Sequence, residues 1–150
     1  MTIVLENYPL PEQGQVKIKV DVSFEMKVSA EQARRKVNRW VMERVSSQMG
    51  AELPTLIIGE RAVWRVPVYI SFPDTGRLRG IGAVDVDAET GEMNDTPEHR
   101  AEIERAANDT ALQLPPYQPW REAPAKYLAK NVPPAEKLII TEDGQIKPAV

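Results

Sequence analysis

Few residues in this chain are of a type and spacing that could do chemistry. Asp85, Asp87 and Glu89 follow one another at intervals of two in "GAVDVDAETGEM", with Gly91 close behind. Such a run invites comparison with a calcium loop. A loop of that kind needs oxygen ligands at positions one, three and five, glycine at six and a bidentate glutamate at twelve. Counted from Asp85, position six is Thr90 and position twelve is Thr96, so two required places fail. On one strand Asp85 and Asp87 would share a face at about 7 Å between Cα atoms, a tolerable distance for acid–base work. No third group beside them orients a substrate. The simpler reading is a hairpin in which Asp87 begins a turn, Thr90 and Gly91 close it, and Glu92 leaves into solvent.

His99 is the lone histidine and there is no cysteine. Disulfides, thiol nucleophiles, thiolate metal sites and multi-histidine zinc sites within one chain are thereby excluded. No nucleophile is identifiable beside His99, and no glycine-rich phosphate loop occurs. We expect no cofactor, no bound metal and no catalytic residue. A small hydrolase using Asp85, Asp87 or His99 is kept as an alternative.

The elements that would position these residues are legible from periodicity. In "QVKIKVDVSFEMKV", Val16, Ile18, Val20, Val22, Phe24, Met26 and Val28 alternate with polar residues, the pattern of a long strand with one wet face. Ser29 and Gln32 form a capping box. Ala30, Ala33, Val37, Trp40, Val41, Val45 and Met49 then recur at helical spacing, with Gly50 as the stop. This places Trp40 against the sheet. "TLIIGE" and "AVWRVPVYISF" read as strands, the second with Trp64, Val66, Val68, Ile70 and Phe72 on one face. Pro67 on the other parity points to an edge or a bulge. "PDTG" at 73–76 is a turn, and "RLRGIGAVDVDA" is a strand loosened by Gly80 and Gly82. Thr96-Pro97-Glu98 starts a second helix, with a weak stripe of Ile103, Ala107, Thr110, Ala111 and Leu114.

Beyond Leu114 the composition changes, and residues 115–150 hold seven of the 13 prolines. Residues 115–120 read as polyproline II, "APAKYLAKN" as one or two helical turns, and "KLIITEDGQIK" as a short strand with a turn. The expected organisation is an α+β body at 1–114 and a proline-rich extended arm at 115–150. The body is expected to carry an antiparallel sheet with the long leading strand, a main helix across it and a second helix.

The arm carries Tyr117, Trp120, Tyr127, Leu128, Leu138, Ile139 and Ile140, too many apolar groups to leave in water. They either fold back on the body or anchor a partner, and we take them as the candidate partner-binding residues. A candidate basic face on the first helix comprises Arg34, Arg35 and Arg39, with Lys36 and Arg44 beside them. The net charge of −3 and the lack of a binding motif argue against nucleic acid. No window is apolar enough for a membrane helix, and the N-terminus lacks the basic and apolar regions of a signal peptide. The expectation is a cytoplasmic protein.

Residues 29–94 resemble the PepSY domain. The similarity rests on "VSAEQARRKVNRWV", "AVWRVPVYISF" and "GIGAVDVDAETGEM", above all on the "VDVDAETGE" ending, which matches that family's strand and D-x-x-T-G turn. The resemblance implies a small non-catalytic α+β unit that inhibits or chaperones a peptidase, although such domains are usually extracytoplasmic or membrane-attached. The function expected is non-enzymatic binding of a protein or peptide partner, as an inhibitor or chaperone-like factor. An antitoxin-like neutraliser is the main alternative, with a body that forms a homodimer and an arm that wraps a toxin.

Overall fold

A computed structural model of the chain describes residues 2–116, 130–131 and 138–148. The fold is α+β and divides into two units, Met1–Leu114 and Pro115–Val150. In chain order the first holds β1 (Ile3–Leu5), α1 (Ala30–Arg44), β2 (Met49–Ala51), β3 (Thr55–Ile58), β4 (Ala62–Phe72), β5 (Gly76–Asp87) and α2 (Pro97–Leu112). The second holds a hairpin of β6 (Leu138–Ile140) and β7 (Ile146–Pro148).

The sheet is built on β4. It pairs antiparallel with β5 along one side, and with β3 and then β2 along the other. Alternation along β4 sends Trp64, Val66, Val68 and Ile70 to one face, where all four are buried. Val84 and Val86 of β5 stand opposite Val66 and Trp64 on that same face. Ala33, Val37 and Val41 of α1 and Ile103 and Ala107 of α2 complete the core. Both helices therefore cover one face of the sheet.

The sequence-predicted starts of α1 and α2 are realised in detail. Ser29 accepts the amide of Gln32 while the Gln32 side chain accepts the amide of Ser29. Thr96 accepts the amide of His99 ahead of Pro97. Each cap satisfies donors that the first helical turn leaves unpaired.

Four features differ from the sequence expectation. The long leading strand does not join the sheet: residues 15–27 form no ladder, and Val16, Ile18, Val20, Val22 and Met26 are 43 to 48% exposed. Only its end is tied down, where the amides of Lys27 and Val28 donate to the carbonyl of Ala88. The sheet is mixed, because β1 pairs parallel to β3. Helix α1 stops at Arg44, and Met49 and Gly50 belong to β2. A Cβ on Gly50 would overlap the ring of Tyr69, so this glycine permits a close strand approach instead of ending a helix. Finally, the β4–β5 register shifts between Val68 and Ile70, the bulge expected near Pro67, but Pro67 itself lies in the central strand and not at an edge. Its carbonyl accepts from Glu52 on the β2 side, so its missing N–H falls in the gap between β2 and β3, where no ladder bond is lost.

Candidate functional site

Residues 82–93 fold as a hairpin. Asp87 Oδ1 accepts the amides of Glu89 and Thr90 at 2.8 and 2.9 Å. The Gly91 amide donates to the Asp87 carbonyl, Gly91 has φ +76°, and Met93 bridges back to Val86. The Thr90 amide, helped by the Glu89 amide and against the opposing effect of burial, holds the Asp87 carboxyl below its ordinary value. That carboxylate is occupied in shaping the turn.

Asp85 has a different commitment. It lies on the helix-free face opposite Arg65 in the β4–β5 register. Arg65 donates Nε to Oδ1 and Nη2 to Oδ2, both at 2.9 Å, and its Nη1 reaches Glu6 Oε1 at 2.7 Å. Hydrogen bonds to Asp85 and then Glu6 hold the guanidinium still further above its already high pKa. The planar fork matches the carboxylate bidentately, so the cluster fastens the segment after β1 to β4 and β5.

His99 Nε2 lies 2.8 Å from the carbonyl of Ala83. A carbonyl only accepts, so Nε2 carries the hydrogen. Nδ1 faces Glu102 at 3.4 Å. With Asn94 donating to the Asp85 carbonyl and Asp87 donating to that of Glu92, the outer edge of β5 is capped from residue 83 to 87. Asp85, Asp87 and His99 thus serve three separate partners and do not converge.

The basic face of α1 is partly neutralised by its own acid. Arg34 and Arg35 both donate to Glu31, at distances of 2.8 and 2.9 Å. Their hydrogen bonds, Arg34's first, pull the Glu31 carboxyl down to about 2. Lys36 donates to the carbonyl of Gly91. Among the described residues no ion pair involves Arg39.

Trp40 lies beside the buried stripe of α1 and is half-buried at the core margin. It lines a groove of about 560 Å³ between the helices with Arg44, Asp95, Pro97, Arg100 and Glu104. Arg100 is held there by Glu104 at 2.8 Å.

Of the arm residues, Tyr117, Trp120, Tyr127 and Leu128 lie outside the described residues. Leu138, Ile139 and Ile140 form β6, exposed by 57, 49 and 76%, and Ile146 on β7 by 67%. Gly144, at φ +78°, donates its amide to the Thr141 carbonyl, and Thr141 closes the turn by donating its amide and hydroxyl to the Gln145 carbonyl and bonding Asp143 through the same hydroxyl. The Arg65 cluster was missed by sequence reasoning. Its one signal was a cation at odd parity on β4 facing acids at odd parity on β5.

No family model, no curated protein and no solved structure matches this chain. No helix among the described residues is long and apolar enough to cross a membrane.

Proposed function

We propose that the chain is a non-enzymatic α+β module that binds a protein or peptide partner, with the C-terminal arm making contacts. The observation that carries this reading is the 138–148 hairpin, which presents Leu138, Ile139, Ile140 and Ile146 to solvent. A two-stranded hairpin is marginal by itself, and its open edges and apolar side chains suit strand addition by an extended partner. The commitments of Asp85, Asp87 and His99 to local structure support a binding role over a hydrolytic one. The PepSY-like pattern of residues 29–94 motivates the inhibitor or chaperone-like form of the proposal.

The test compares the full chain with a double variant, Leu138→Asp with Ile140→Asp, and with the chain truncated after Leu114. Partner recovery should be lost in both altered forms, while each melts within a few degrees of the parent. Equal recovery from all three would remove the arm from the functional account.

A further inference from the structure

The segment 15–24 poses a problem of its own, independent of the arm. Its apolar residues alternate without a miss, as only a strand needs, yet it has no ladder partner and leaves Val16, Ile18, Val20 and Val22 nearly half exposed. Isolated alternation of this quality is a strand lacking its neighbour. The chain's own sheet offers little: the outer edge of β5 next to residues 27–28 is already taken by Glu92, Asn94 and His99.

We infer that residues 16–24 pair antiparallel with the same residues of a second copy, about a two-fold axis at Val20. Charge selects the register. Centring the pair on Val20 opposes Lys19 to Asp21 at both symmetry-related places, Lys17 to Ser23 and Gln15 to Glu25. Neighbouring centres either set like charges together or leave too short a ladder. A centre at Ile18 opposes Lys17 to Lys19, and one at Lys19 opposes that lysine to itself. A centre at Asp21 sets two aspartates face to face, while centres at Val22 and Ser23 leave ladders of only 20–24 and 22–24, because the chain from Glu25 onward is held by Glu89 and Ala88. Directly opposed like charges destabilise a ladder, and opposite charges support it.

The tether agrees with this register. Glu25 donates its amide to the Glu89 side chain, and Lys27 and Val28 bond Ala88, so the chain is committed from residue 25 onward. The Val20-centred ladder ends at Phe24, just short of that commitment. Its apolar face opposes Val16 to Phe24, Ile18 to Val22 and Val20 to itself. Phe24 already packs on the core of its own body. The ribbon's apolar face therefore continues into both cores, which gives a closed, isologous contact.

Light scattering and sedimentation of the full chain should show a dimer. Lys19→Asp and Asp21→Lys each convert attraction into repulsion twice over, and should weaken the dimer roughly five- to tenfold. The double exchange should restore it. Since the segment lies outside the folded core, all three variants should melt like the parent at protein concentrations too low for the dimer. A Val20→Cys chain, otherwise free of cysteine, should cross-link to itself on mild oxidation, because opposed Cα atoms lie within disulfide reach. Ser23→Cys, opposed to Lys17, should not. A monomer at high micromolar concentration would overturn the inference. So would a dimer indifferent to the charge variants, which would place the contact elsewhere, as on the exposed edge strand β1.

Discussion

Trp64 donates its indole Nε1–H to the backbone carbonyl of Val28 at 2.8 Å. The bond joins the centre of the sheet to the residue that precedes the cap of α1. It also explains how the chain can turn from the unpaired leading segment into the helix with a fixed entry. Trp64 is fully buried, so the indole donor would be costly to leave unpaired, and Val28 supplies the acceptor.

Trp64→Phe keeps an aromatic body but removes that donor and part of the volume. Denaturant melts should show a loss of about 2–3 kcal/mol. Amide exchange at Lys27 and Val28 should rise more than at β3. A loss below about 0.5 kcal/mol would mean that the bond contributes nothing to stability.

The two tryptophans of the body should behave unequally. Trp64→Ala removes a side chain from the core and should cost about 3–5 kcal/mol. Trp40 matches the helical stripe in sequence, yet the buried side of α1 is Ala33, Val37 and Val41, with Trp40 at its border. Trp40→Ala should therefore cost distinctly less, about 1–2 kcal/mol by the area it withdraws from water. Equal losses in paired melts would contradict the orientation of α1.

Where the chain was legible, one element's own pattern sufficed. Strand β4 spans the predicted "AVWRVPVYISF", because its buried parity is uninterrupted and Pro67 falls on the other one. Both helix starts were legible because Ser29 and Thr96 act within three residues of themselves. The failures share a cause. Alternation at 16–28 specifies a face for a strand but names no neighbour, so it cannot say whether the neighbour belongs to the same chain. Val45 and Met49 fit helical spacing by coincidence, and three residues are too few for β2 to announce itself. The Arg65–Asp85 pair appears only once the β4–β5 register is known.

Gly50 gives a test of that hidden strand. A methyl group there meets the Tyr69 ring, which also carries Arg77 at 4.5 Å from its centroid. Gly50→Ala should push the ring aside and cost about 1–2 kcal/mol. Most of that cost should vanish in a Tyr69→Ala background, as a double-mutant cycle would show. Additive losses would place Gly50 away from the ring.

Acid should weaken the Asp87 turn. Hydrogen bonds from the Thr90 and Glu89 amides favour the charged form of Asp87 and lower its pKa in the folded state. A carboxylate whose folded pKa lies below its unfolded value binds fewer protons when folded, so its contribution is complete above the unfolded value, about 4. The contribution fades as pH falls from there through the folded value. Asp87→Asn keeps an acceptor oxygen for the turn but cannot titrate. Thermal melts of parent and variant from neutral pH down should therefore run at a constant offset, with the parent more stable, until about pH 4. Below that the two curves should converge, because the parent alone is losing a charge-assisted contact. The many other carboxylates titrate in both proteins and cancel in the difference. An offset that stays constant to the lowest pH at which both remain folded would show that the Asp87 charge contributes nothing to the turn.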